Sequence, residues 1–97
     1  MTRMNTRVRT HPGEVLQAEY LEPLGLTCRQ LAEAIGVPSN RVSEIARMRR
    51  GVTADTAIRF GRYFRTDPRF WLNLQAAHDL SLAEAETDYS TVPERAA

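Results

Sequence analysis

The chain has 97 residues, 42% of them hydrophobic and 26% charged, which describes one ordinary folded domain and excludes both a wholly disordered chain and a two-domain protein. A single cysteine, Cys28, excludes an internal disulfide and fits a reducing cytoplasm; no signal peptide is read, and the most apolar run, "FWLNLQAAH", is far too short to cross a membrane. The net charge is only +1, yet all thirteen basic residues are arginine, and eleven of them face six acids through Arg65 (+5) while two face six acids from Thr66 onward (−4). The first part should attract a polyanion and the second repel one, unless the asymmetry is merely a solvated surface.

Met1 to Thr10 carries three arginines with no apolar core behind them and is expected to be a flexible basic arm. Pro12 suits a first helical position, and "GEVLQAEYLE" places Val15, Leu16, Tyr20 and Leu21 near helical spacing. Glu14, Glu19 and Glu22 read as its solvated face, and Pro23 with Gly25 is expected to end it. Thr27 then opens "TCRQLAEAI" with Gln30 three residues on, the arrangement of a capping box, and Leu31, Ala32 and Ile35 form the buried stripe up to a left-handed stop at Gly36.

A third helix begins near Pro38 with a narrow stripe of Val42, Ile45 and Met48. Thr53 caps a fourth, with Asp55 in its first turn, where the helix dipole favours an acid, and Ala57, Ile58, Gly61 and Phe64 as its inward face. Asp67 and Pro68 open a fifth, running through "RFWLNLQAAHDLSLAEAE". No strand-like alternation and no repeat is present. The expected fold is all-α, about five helices with flexible ends.

The short connection Gly36, Val37, Pro38 between the second and third helices is a helix-turn-helix pattern, whose second helix enters the DNA major groove. Such a turn alone is weak evidence. Its surroundings strengthen it: Ser39 and Asn40 can address base edges or phosphate, and Arg41 and Arg47 can reach base or backbone. Ser43 and Glu44 share the exposed side, and Arg49 with Arg50 can neutralise phosphate beyond the helix. Thr27 and Gln30 are placed for a phosphate at the start of the preceding helix. Arg59, Arg62 and Arg65 are either a second phosphate row or a plain exposed face.

Phe70, Trp71, Leu72 and Leu74 are apolar on more than one side of the fifth helix. Part of that surface must be core. The remainder suits a twofold dimer seam of Phe70, Trp71, Leu74, Ala77 and His78. His11, His78 and Cys28 lack metal-ligand spacing, and no nucleophile lies near a histidine in a catalytic pattern, so neither a metal, a cofactor nor an enzyme is expected.

In order and spacing, "HPGE", "LEPLGLT", "GVTADTAIR" and "FWLNLQ" make residues from His11 to Leu82 closely similar to HigA-type antitoxins, within the lambda-repressor-like helix-turn-helix class. The resemblance fits the five-helix domain expected over residues 11–83, including the dimerisation helix, with an acidic, disordered tail expected over 84–97. It further implies a cytoplasmic homodimer that binds operator DNA, represses its own operon and neutralises a RelE-like, messenger-RNA-cleaving HigB toxin. A stand-alone repressor of phage or metabolic type, with no protein client, is the alternative that the residues themselves leave open.

Overall fold

The computed structural model describes residues 7–96, and within them five helices and no strand. The first helix, α1, spans residues 12–24 in three consecutive pieces: an α-turn Pro12–Val15, a π segment Leu16–Leu21 and a last turn Glu22–Leu24. His11 caps it. Its Nδ1 accepts from the Gly13 N–H at 2.8 Å, and Glu14 Oε2 accepts from the His11 N–H at 3.2 Å, so Glu14 belongs to a reciprocal box rather than to a merely solvated face. Of the two residues expected to end the helix, Pro23 lies within its last turn. A proline ring would crowd the carbonyl four residues back, and the wider π turn immediately before it relieves that contact. The stop is Gly25, at φ 61°.

The second helix, α2 (Cys28–Ile35), starts on the expected box: Thr27 Oγ1 accepts from the Gln30 N–H at 3.0 Å, and Gln30 Oε1 accepts from the Thr27 N–H at 2.9 Å. Gly36, at φ 76°, closes it in the left-handed region that glycine enters without a Cβ penalty. The third helix, α3 (Ser39–Ala46), is shorter than its expected stripe. Met48 lies beyond it, at φ 63° and 52% exposed, so Val42 and Ile45 alone are its buried apolar residues.

The fourth helix, α4 (Ala54–Phe64), is capped by Thr53 and buries Thr56, Ala57, Phe60 and Gly61. Ile58, expected inside, is 52% exposed, because the inward stripe runs through 57, 60, 61 and 64, and position 58 lies about 100° from 57. The fifth helix, α5 (Pro68–Glu86), opens on the Asp67 cap and carries on into the expected tail. Asp88 then caps a short 3-10 turn, Tyr89–Thr91.

The core gathers Leu16 and Leu21 of α1, Leu31 and Ala32 of α2, Val42 and Ile45 of α3, Phe60 of α4 and Trp71 of α5. Trp71 is its hub. The ring lies 5.0 Å from Phe60, 5.2 Å from Tyr20 and 5.1 Å from Phe70, and its Nε1–H donates to Thr66 Oγ1 at 2.9 Å, so the indole is buried with its polar atom satisfied. At the other end α1 presses against α3: a Cβ on Gly13 would lie 1.8 Å from the Ile45 carbonyl oxygen, a separation that only glycine permits.

Candidate nucleic-acid interface

Helices α2 and α3 pack through Leu31, Ala32, Ile35, Val42 and Ile45, all buried, with only Val37 and Pro38 between the Gly36 stop and Ser39. This packing turns the opposite side of α3 outward. Ser39 and Asn40, in its first turn, are exposed, and Arg47 and Arg49 are exposed beyond its last turn. Among the described residues neither arginine makes an ion pair, so both stay free for an outside anion. Ser43 Oγ donates back to the Asn40 carbonyl at 3.3 Å.

The other expected contacts are already engaged within the chain. Arg50 pairs with Glu44, Nη2 to Oε1 at 2.7 Å, which turns this glutamate toward the helix end instead of a base. Arg41 Nη1 donates to Asp55 Oδ2 at 2.7 Å. The same oxygen accepts from Arg59 Nε at 3.0 Å, and Arg59 Nη1 donates to the Ile35 carbonyl at 2.7 Å. The hydrogen bonds from Arg59 and Arg41 hold the Asp55 carboxyl below the ordinary carboxylate range, so it is an anion at any physiological pH. Arg59 is therefore not idle surface. It ties the end of α2 to α4, while Arg62 and Arg65 remain exposed.

Thr27 and Gln30 are exposed, but their box uses the Thr27 hydroxyl and the Gln30 carbonyl oxygen. What remains for a phosphate there is the Gln30 amide NH2 and the first backbone N–H groups of α2. Gln75 of α5 adds a contact that residue order does not show. Its Oε1 accepts from the Val52 N–H at 2.8 Å and so holds the loop that follows α3. Nothing in residue spacing marks a contact 23 positions apart.

The expected dimer residues separate. Trp71 is fully buried and belongs to the core of its own chain, so it is withdrawn from the seam. Phe70 is 37% exposed and Leu80 66%, with Leu74 and Ala77 half-buried between them. His78, half-buried, turns toward the segment before α1: its Nδ1 donates to the Arg9 carbonyl at 2.8 Å, and its ring meets His11 edge-on at 4.8 Å. Arg9 N–H donates to Ser81 Oγ at 2.7 Å, so the inner part of the expected arm lies docked along α5; its first six residues fall outside the described ones. Among the described residues no helix is long and apolar enough to cross a membrane.

Residues 18–71 match the helix-turn-helix family. Virulence-associated protein I of Dichelobacter nodosus is 53% identical over 76 residues, covering 78% of this chain and 70% of that protein. The Pseudomonas aeruginosa antitoxin HigA, solved with the higBA promoter, is 44% identical and superposes with a TM-score of 0.78 over 79% of this chain and 84% of that one. The antitoxin GraA in complex with its operator is 38% identical, with a TM-score of 0.87 over 99% of this chain and 100% of that one. The chain belongs to the helix-turn-helix family, in the group of the HigA-type antitoxins.

Proposed function

We propose that this chain is an antitoxin that represses its own operon, reading operator DNA with α3 and neutralising a HigB-like, messenger-RNA-cleaving toxin. The observation that carries the DNA reading is the outward face of α3. A helix with two fully buried apolar residues presents Ser39 and Asn40 at its start and unpaired Arg47 and Arg49 past its end, in a fold shared with antitoxins solved on promoter or operator DNA. Asn40 and Ser39 address base edges, and Arg47 and Arg49 bind phosphate. Arg41 and Arg50 meet the DNA from their pairs with Asp55 and Glu44. The chain works as a twofold dimer, since one such unit reads too few base pairs to select an operator, and the half-sites then lie roughly 34 Å apart. The seam lies on α5, through Phe70, Leu74 and Ala77.

Fluorescence anisotropy with the DNA immediately upstream of this chain's gene, against a shuffled duplex, tests the reading. Preferential binding that weakens steeply with salt is expected, because arginine–phosphate contacts release counterions. Equal binding to both duplexes sinks it. Co-purification with the product of the neighbouring reading frame decides between an antitoxin and a stand-alone repressor. Leu74→Glu should give a folded monomer that loses the upstream DNA; a folded variant still dimeric by light scattering removes the seam from α5.

A further inference from the structure

We propose that Asp55 determines DNA specificity, as the residue that positions Arg41 on the reading face. The proposal rests on the DNA-binding reading above. Arg41 follows Asn40 in the first turn of α3, beside the side chains assigned to base edges. Its guanidinium is not free like those of Arg47 and Arg49. One N–H is bound to Asp55 Oδ2, and that oxygen is fixed from behind by Arg59, which is itself anchored on the last carbonyl of α2. A single line of hydrogen bonds thus runs from α2 through α4 to α3 and ends on the one arginine in the first turn of α3.

An unrestrained arginine at a DNA surface satisfies whichever phosphate is nearest, and so adds affinity for every sequence alike. An arginine held through one of its five N–H groups keeps a fork of donors in a fixed direction, the geometry that a guanine edge requires. Asp55 also places a half-exposed negative charge beside the DNA face, which disfavours any phosphate approaching that corner. Both effects raise the ratio of specific to non-specific binding, one by fixing the reader and the other by weakening the background. The ion pairs are too exposed to matter much for folding, and placement is what they supply.

The test is a double-mutant cycle of Asp55→Asn and Arg41→Ala, read as affinity for the upstream duplex and for its shuffled counterpart, with circular dichroism on each variant. Asp55→Asn should bind the shuffled duplex more tightly and with a salt slope steeper by about 0.9. Its specificity ratio should fall roughly five- to one-hundred-fold, the worth of a fixed arginine–guanine contact. Arg41→Ala should lower the ratio similarly, and adding Asp55→Asn to it should lower it far less than the same change does in the wild-type chain, leaving only the loss of the background charge. Losses that multiply in the double variant overturn the proposal. Should Asp55→Asn fail to fold, Arg41→Lys, which keeps the charge but not the fork and leaves Arg59 on Asp55, must show the same fall; a wild-type ratio in that variant overturns it. A wild-type chain that does not discriminate between the two duplexes overturns the DNA-binding reading as well, which is distinct from multiplying losses in a chain that does.

Discussion

Helices α3 and α5 stand at opposite extremes of the same small domain. The first buries Val42 and Ile45 and keeps its polar groups at the surface in bonds that an incoming ligand can exchange. The second carries Trp71, fully buried in contact with Tyr20, Phe60 and Phe70, its one polar atom tied down within the fold. Stability is therefore concentrated around the indole, and the reading helix is held in place by a few groups supplied from neighbours. Gly13 of α1, Arg59 of α4 and Gln75 of α5 each hold a backbone segment at or beside the helix-turn-helix unit. Such a division lets the face of α3 change without endangering the fold.

The largest effect expected from breaking this division is at Trp71. Trp71→Ala leaves a cavity among four aromatic rings, Tyr20, Phe60, Phe64 and Phe70, and should cost about 3–5 kcal/mol, much of the stability of a domain this size, measured by urea unfolding. Asn40→Ala should do the reverse. Its side chain is exposed and is expected to carry base contact, so stability should hardly move while discrimination between upstream and shuffled DNA falls by about 1–3 kcal/mol. If both duplexes lose equally, Asn40 positions the backbone instead of reading a base.

Local chemistry is what could be read from residue order. The Thr27–Gln30 box, the Thr53 and Asp67 caps and the Gly36 stop all act within three or four residues, and each stands where spacing puts it. Three kinds of feature were not legible. Phase was one, since Ile58 and Phe60 differ by only two positions and a short window does not say which faces inward. A second was compensation, because the π segment that admits Pro23 has no residue signature. The third was long-range pairing. The Asp55–Arg59 spacing of four is visible, but its extension to Arg41 and to the Ile35 carbonyl exists only once three helices have packed.

The contrast can be sharpened with acid. Burial lowers the pKa of His11 below its ordinary 6.5, the neighbouring His78 adds to the shift, and Asp79 and Glu14 oppose it. The His11 cap needs an unprotonated Nδ1, so the folded state resists the proton that the unfolded chain accepts. Stability from this group is thus complete above about pH 6.5 and is lost as pH falls from there toward the lowered folded value. Melting temperature should decline over that window. His11→Asn, whose Oδ1 can cap without titrating, should remove the step. Asp55, an anion throughout, contributes no change there, so DNA discrimination per folded molecule should stay flat while stability falls.

The smallest effect is expected at the end of α3 itself. Arg49 N–H donates to the Glu44 carbonyl at 2.8 Å and Met48 N–H to the Ile45 carbonyl at 2.9 Å, a closing pair that requires a left-handed residue between them. Met48 occupies that place at φ 63°, where a Cβ costs about 1–2 kcal/mol, and its half-exposed side chain returns little in packing. Met48→Gly removes the strain but frees the unfolded chain, which takes back about 0.5–1 kcal/mol. The net should be a gain of up to about 1 kcal/mol in urea unfolding. Met48→Ala keeps the strain and loses only the side chain, so it should not gain. If alanine stabilises as much as glycine, the exposed methionine rather than the backbone is the source, and the conformation at the end of the reading helix carries no stored cost.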